Sequence, residues 1–147
     1  MVITKHFTLE EFAQPARPGF EHVPYPAEWI EERLRPLCEA LEILRAELGD
    51  RPMRVLSGYR TEGFNRAVGG TPSSQHLHGR AADFTVDGLT SRQVLTQARL
   101  LYKAGKLRLG GLGLYPEFVH VDVRGGRVMR WSGTRSRRQT AGLGLGD

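Results

Sequence analysis

Two short segments of this 147-residue chain concentrate its metal-binding side chains, and the fold has to bring them together. The first, residues 74–83, reads Ser-Gln-His-Leu-His-Gly-Arg-Ala-Ala-Asp. The second, residues 117–122, reads Glu-Phe-Val-His-Val-Asp. Imidazole nitrogen and carboxylate oxygen form a usual zinc ligand set, and three protein ligands with one open position are typical of catalytic sites. The pattern therefore predicts a zinc site formed by His76, Asp83 and His120.

The order of these motifs resembles a known family of peptidases. The pattern Ser-x-His-x-x-Gly-x-Ala-x-Asp, followed by an acidic residue three positions before His120, is similar to the signature of zinc D-alanyl-D-alanine carboxypeptidases and L-alanyl-D-glutamate peptidases. Residues 57–61, Ser-Gly-Tyr-Arg-Thr, resemble a further motif of that family, and the similarity runs from about Phe7 to Trp131. The resemblance implies a Hedgehog/DD-peptidase-like fold, a zinc cofactor and hydrolysis of an amide bond in peptidoglycan stem peptides.

The resemblance also implies roles for residues around the zinc. Glu117 occupies the position of the catalytic acidic residue, where one carboxylate can accept a proton from water and return it to the departing amine. Arg60 resembles the family's arginine, whose planar fork suits a substrate carboxylate or a developing oxyanion. A structural salt bridge is the alternative for Arg60. Tyr59 and Ser74 are expected to help bind the peptide.

Asp122 is a second candidate for the catalytic carboxylate. Side chains two positions apart on a strand project to the same face, so His120 and Asp122 are predicted to lie side by side. Asp122 could orient His120, act as the base or replace Asp83 as a ligand, and we expect it to orient His120. His78 is a weaker alternative ligand and is expected in the wall of the cleft.

The hydrophobic pattern predicts an α+β domain in which helices flank an antiparallel sheet. Apolar residues recur at helical spacing over residues 27–48, where Pro36 predicts a kink or two consecutive helices meeting near Arg35. A further helix is predicted over residues 90–105, capped by its first Thr or Ser. Residues 61–74 show no core pattern and are predicted to form a long loop. Strands are predicted at residues 53–57, 79–86, 112–115, 118–123 and 128–131.

Length and composition are typical of one globular domain, which we assign to residues 1–131. Residues 132–147 are rich in Gly, Ser, Thr and Arg and are predicted to form a loose tail. The single cysteine, Cys38, lies at an apolar position of the long helix and is expected in the core. No apolar run reaches the roughly 20 residues that span a bilayer.

The net charge of +5 arises largely from arginines in the C-terminal region, and it favours contact with an anionic polymer such as a cell wall. The chain has no nucleic-acid-binding motif or aromatic platform, and we expect a monomer. Its N-terminal residues lack the apolar core of a secretory signal. We therefore expect synthesis in the cytoplasm and action at the cell wall, as for a phage lysin or a delivered effector. A periplasmic protein whose signal had been removed would have the same sequence.

Three other functions use similar residues. Two histidines and a carboxylate also hold iron in 2-oxoacid-dependent oxygenases, but there the His-x-Asp pair usually precedes the distal His, whereas His120 follows His76 here. A catalytically inactive zinc-containing module that binds cell wall or protein is the main alternative, and the presence of Glu117 argues against it. A nucleic-acid-binding protein that uses its arginine-rich tail is the third.

Overall fold

The computed structural model describes residues 1–134 and consists of a two-stranded hairpin and a five-stranded sheet with helices. The strands are β1 (Val2–Thr4), β2 (Phe7–Thr8), β3 (Met53–Ser57), β4 (Ala81–Val86), β5 (Gly111–Leu114), β6 (Val119–Asp122) and β7 (Met129–Ser132). The helices are α1 (Arg35–Glu47), α2 (Glu62–Ala67) and α3 (Ser91–Lys103). Short 3-10 helices span Leu9–Phe12, Ala27–Trp29 and Gln75–His78, and Ile30–Leu34 is π-helical. Most of the predicted tail lies outside the described residues.

The large sheet has the strand order β3-β4-β6-β5-β7. The α+β class is confirmed, and β3, β4, β6 and β5 are antiparallel as predicted. The expectation of a wholly antiparallel sheet is wrong, because β7 pairs with β5 in parallel. Strands β4 and β5 already occupy both edges of β6. The segment after β6 therefore forms β7 at the free edge of β5. Its reversal after β6 makes β7 antiparallel to β6 and therefore parallel to β5.

Side-chain alternation along β4 and β6 separates an apolar face of the sheet from a polar face. Phe84 and Val121 belong to the buried core that α1 and α3 complete. Asp83, His120 and Asp122 lie at the alternate positions and are buried on the opposite face. The core therefore fixes the strands, and the strands place the polar residues side by side.

The predicted break in the long helix is confirmed at Arg35. The π-helical segment Ile30–Leu34 ends there, and Pro36 lies in the first turn of α1, where its missing N–H group would have no partner within the helix. Cys38 is fully buried in the core, as predicted. Burial raises the pKa of its thiol to about 12, so Cys38 is a packing residue and not a reactive one.

The prediction of a structureless loop over residues 61–74 is wrong, because α2 forms within it. Phe64 and Val68 are buried on one side of this short helix, and the Phe64 ring meets Phe20 edge-on at 5.4 Å between centroids. Two apolar residues four positions apart are enough to anchor one and a half turns of helix, yet they are too few to create a readable periodic pattern.

A carboxylate of α1, Glu42, helps to hold the N-terminal hairpin, and Arg35 Nη1 of the same helix donates to the Ile3 carbonyl at 2.6 Å. Glu42 accepts hydrogen bonds from Thr4 Oγ1 at 2.8 Å and from the His6 backbone N–H at 2.7 Å. A third contact joins Glu42 Oε1 to His6 Nδ1 at 2.6 Å. Within residues 1–134, no helix is both long and apolar enough to cross a membrane.

Candidate metal centre

Three elements bring His76, Asp83 and His120 together on the polar face of the sheet. His76 lies on the 3-10 helix Gln75–His78, and Asp83 on β4 pairs directly with His120 on β6. His76 Nε2 lies 3.1 Å from Asp83 Oδ1, and His120 Nδ1 lies 2.9 Å from the same oxygen. The three atoms lie within 4.8 Å of one another. This spacing suits one ion with ligand distances of about 2.0–2.2 Å.

His76 Nε2 is the atom that most clearly indicates a cation. It is buried and has no hydrogen-bond partner within residues 1–134. A buried polar atom without a partner costs about 1–3 kcal/mol, and this one points at a carboxylate that a second imidazole also approaches. A metal ion between the three side chains would satisfy all of them, and their nitrogen and oxygen donors fit zinc.

The second ring nitrogen of each histidine forms a hydrogen bond on the side away from Asp83. The Nδ1 atom of His76 lies 2.6 Å from the Gly58 carbonyl oxygen, so Nδ1–H donates and Nε2 keeps its lone pair. The Nε2 atom of His120 lies 2.8 Å from Asp122 Oδ2, so Nε2–H donates there and Nδ1 is the nitrogen available to bind a metal. Asp122 thus occupies the orienting position that we expected for it.

Arg60 lies behind Asp83 and faces the protein interior. Its Nη2 donates to Asp83 Oδ2 at 2.9 Å, its Nε donates to Ser57 Oγ at 2.8 Å, and its Nη1 donates to Asn65 Oδ1 at 3.0 Å. The residue is only 1% exposed. The structure therefore shows the structural salt bridge that was the alternative to a substrate contact.

The structure does not bring Glu117 to the metal centre. Glu117 follows Pro116 at the tip of the turn between β5 and β6, where Tyr115 N–H donates to the Phe118 carbonyl at 3.1 Å. Its side chain is exposed and lines a surface depression that also involves Thr85. Because β6 begins only at Val119, Glu117 lies in the turn that precedes the strand and is not one of the three clustered residues.

The remaining predicted site residues contact other parts of the protein. Ser74 caps the 3-10 helix, and its Oγ accepts the His76 backbone N–H at 3.2 Å. Tyr59 is half-buried, with its ring 5.8 Å from that of Trp29. His78 is exposed and is not part of the three-residue cluster. Ser74 thus positions the first ligand, and Tyr59 belongs to an aromatic cluster.

Sequence analysis did not identify two residues that contact the centre. Arg124 donates to both carboxylate oxygens of Asp122, from Nε at 2.8 Å and from Nη2 at 2.7 Å. The Trp131 ring lies 4.9 Å from the His120 ring. The spacing Asp-x-Arg at the end of β6 was a readable signal for the ion pair. The Trp131 contact depends on the parallel pairing of β7 with β5, for which the sequence has no comparable signal.

Burial and neighbouring charges shift the pKa values of all three residues. Burial, together with nearby Arg60, lowers the pKa of His76 to about 4 despite the attraction of Asp83. Burial also acts to lower the pKa of His120, but its hydrogen bonds to Asp122 and Asp83 outweigh burial and raise that pKa. Burial opposes ionisation of Asp83, but the two imidazoles hold its pKa well below the usual value. His76 is therefore neutral at pH 7, the form that binds a metal.

The chain is similar in sequence to two kinds of characterised peptidase. The chain is 33% identical over 92 residues to the zinc D-Ala-D-Ala carboxypeptidase of Streptomyces albus G, which covers 63% of this chain and 35% of that enzyme. It is 33% identical over 103 residues to the peptidoglycan L,D-endopeptidase MepK of Escherichia coli K12, which covers 65% of this chain and 52% of that enzyme. This chain therefore spans about a third to a half of the length of these relatives.

A family-level comparison covers more of the chain. The family model described as Peptidase M15 matches residues 5–122. The matched region contains His76, Asp83 and His120, the residues that the fold gathers into one cluster. The extent of this match shows that the chain belongs to the peptidase M15 family.

Proposed function

We propose that this protein is a zinc-dependent peptidase that hydrolyses an amide bond in peptidoglycan stem peptides. The observation that carries the proposal is the buried cluster of His76, Asp83 and His120, in which His76 Nε2 forms no hydrogen bond within residues 1–134 and lies 3.1 Å from Asp83 Oδ1. Membership of the peptidase M15 family supports the reaction class. The names of the relatives, a zinc carboxypeptidase and a peptidoglycan endopeptidase, support the metal and the substrate.

The protein's own residues prepare the centre for this reaction. A zinc ion held there supplies Lewis-acid polarisation of a carbonyl group and lowers the pKa of a bound water to about 7. Gly58 holds a proton at His76 Nδ1, and Asp122 holds a proton at His120 Nε2. These contacts fix the ring orientations, so His76 Nε2 and His120 Nδ1 both point to Asp83 Oδ1 and are the nitrogens that would bind zinc.

We assign Asp122 to the orientation of His120, and we propose Glu117 as the carboxylate that moves the proton. Asp122 is fully buried, and its Oδ2 accepts the proton of His120 Nε2, so its negative charge strengthens the imidazole as a donor. Glu117 is exposed in the turn before β6 and is not one of the three clustered residues, so its catalytic role stays a prediction. Substitution of each carboxylate distinguishes the two assignments, as argued below.

We also propose that the protein acts at the cell wall as a monomer and that its cationic C-terminal region contacts an anionic polymer. Arg127 and Arg130 are exposed, and the chain carries a net charge of +5. Binding to purified cell walls at increasing salt tests the contact. The double change Arg127→Gln and Arg130→Gln is expected to weaken binding at low salt, and an unchanged salt dependence would contradict the proposal.

A digest of purified peptidoglycan and its soluble muropeptides, read by mass spectrometry, tests the function. Zinc-loaded protein is expected to release new peptide fragments, and His76→Ala is expected to release none. His78→Ala is the matched control, because this exposed imidazole lies outside the cluster and should leave cleavage intact. If zinc binds tightly and no fragment appears, the peptidase proposal fails for these substrates and a binding module becomes the better account.

A further inference from the structure

We propose that Arg124 and Trp131 are positioning residues of the zinc centre. The proposal rests on the proposed zinc site and adds to it a part of the chain beyond the family match, which ends at residue 122. Arg124 follows β6, and Trp131 lies on β7. In this inference, Arg124 fixes Asp122 and Trp131 covers the imidazole that Asp122 orients.

Arg124 fixes the carboxylate of Asp122 through three hydrogen bonds. Its backbone N–H donates to Oδ1 at 3.2 Å, its Nε donates to Oδ1 at 2.8 Å, and its Nη2 donates to Oδ2 at 2.7 Å. The same Oδ2 accepts from His120 Nε2 at 2.8 Å. The guanidinium plane therefore sets the carboxylate plane, and the carboxylate in turn sets the direction of the imidazole. A lysine keeps the charge but cannot form this two-pronged contact.

Trp131 covers His120 from the edge strand of the sheet. It pairs with Gly113 on β5, and a Cβ atom at Gly113 would lie 2.7 Å from the indole ring, so only glycine leaves room for the ring there. Its Nε1–H donates to Tyr115 Oη at 2.9 Å, which fixes the ring in place. The His120 ring lies 4.9 Å away and is 4% exposed.

The two residues act on the same ligand from two sides. The Arg124 guanidinium lies 5.4 Å from the centre of the Trp131 ring, so the contacts form one connected group around His120 and Asp122. Residues that hydrogen-bond or pack against a metal-binding side chain without touching the metal typically weaken metal binding 10- to 100-fold when they are removed. A merely structural pair on the surface would change stability without changing metal affinity.

Zinc affinity, measured by competition with a chromophoric chelator, tests the role of Arg124. Arg124→Gln and Arg124→Lys are both expected to raise the zinc dissociation constant about 10-fold or more. Arg108→Gln is the matched control, because this exposed arginine lies outside the clustered residues, and its zinc dissociation constant should stay within about twofold of wild type. Circular dichroism of the metal-free proteins verifies that each variant is folded, and Arg124→Lys provides the test if Arg124→Gln is not.

Tryptophan fluorescence with Co²⁺ alone tests the position of Trp131, because the chain has only two tryptophans. Cobalt is expected to quench the tryptophan fluorescence of the wild-type protein and of Trp29→Phe. In Trp131→Phe, most of the quenching seen in the wild-type protein should disappear. Trp131→Ala should raise the zinc dissociation constant several-fold, and Trp131→Phe should restore most of the affinity because it keeps a ring over His120.

The outcomes separate this inference from the proposed function. Wild-type zinc binding with unchanged affinity in both Arg124 variants overturns the positioning role of Arg124. Loss of the larger share of the quenching in Trp29→Phe overturns the placement of Trp131. A wild-type protein that binds no zinc overturns the proposed zinc site itself, and the positioning roles fall with it.

Discussion

At the scale of single residues, Arg60 shows how a buried cation prepares one ligand. Its guanidinium pairs with Asp83 Oδ2, and both side chains are fully buried. Removing one partner of a buried ion pair leaves an uncompensated charge and costs about 3–5 kcal/mol. Arg60→Gln is therefore expected to lower the free energy of unfolding of the metal-free protein by about that amount, measured by urea denaturation.

The exposed Arg66 in α2 is the control for this prediction, and Arg66→Gln should stay within about 0.5 kcal/mol of wild type. A substrate-binding or oxyanion-binding role for Arg60 would have a different signature. In that case Arg60→Gln would lower kcat/KM while the metal-free protein kept its stability, which would contradict the structural role.

The two candidate carboxylates are separated by their substitutions. Glu117→Gln is expected to keep zinc, because Glu117 is not one of the three clustered residues, and to lose turnover, because an amide cannot carry the proton. Asp122→Asn is expected to weaken zinc binding about 10- to 100-fold and to lower turnover even at saturating zinc. Muropeptide cleavage rates and zinc titrations measure both. Full zinc binding with wild-type turnover in Glu117→Gln would contradict the catalytic role of Glu117.

The sequence predicts these residues unequally for a physical reason. His76, Asp83 and His120 are readable because their donor types and spacing suit one metal ion. The role of Arg60 cannot be predicted from the sequence, because its planar guanidinium can pair equally well with a carboxylate of the protein or of a substrate. The contact of Trp131 with His120 depends on which strand β7 joins, and that choice depends on the whole sheet.

At the scale of elements, Glu42 predicts a pH-dependent attachment of the N-terminal hairpin to α1. Burial raises the pKa of Glu42, but hydrogen bonds from His6 and Thr4 outweigh it, so the pKa lies below its ordinary value of 4.5. A carboxylate with a lowered folded-state pKa adds stability above its ordinary pKa, and this stability is lost as the pH falls through the folded-state pKa. Glu42 should therefore stabilise the fold at neutral pH and lose this effect in acid.

The comparison of wild type with Glu42→Gln isolates this effect. Urea denaturation at about pH 6 is expected to show wild type more stable by about 1–2 kcal/mol, and the difference should largely vanish near pH 3. Glu39→Gln is the matched control on the same helix, because Glu39 is exposed, and it should show little difference at either pH. A Glu42→Gln difference that stays constant with pH would contradict the assignment.

Elements with a strong local signal are predictable, and those that depend on distant pairing are not. Pro36 predicts the break at Arg35 because its ring excludes a preceding helical hydrogen bond. Helix α2 is missed because only Phe64 and Val68 anchor it. The parallel pairing of β7 is missed because it follows from the occupied edges of β6, which no local pattern records.

At the scale of the whole molecule, zinc is expected to connect three elements and so to stabilise the fold. The ligands lie on the 3-10 helix Gln75–His78, on β4 and on β6. A ligand present at 100 times its dissociation constant adds about 2.7 kcal/mol to the free energy of unfolding. Thermal unfolding at rising zinc concentration should therefore show a rising Tm. The same series with His120→Ala should show no rise, and an equal rise in both proteins would contradict the site.

The most direct test of the account is the zinc content of the protein after equilibrium dialysis, measured by mass spectrometry of the metal. Wild type and His78→Ala are expected to hold a stoichiometric amount of zinc, because His78 is exposed and lies outside the cluster. His76→Ala, Asp83→Ala and His120→Ala are each expected to lose it, with circular dichroism showing that they remain folded. Full zinc retention in those three variants, or its loss only in His78→Ala, would contradict the centre described here.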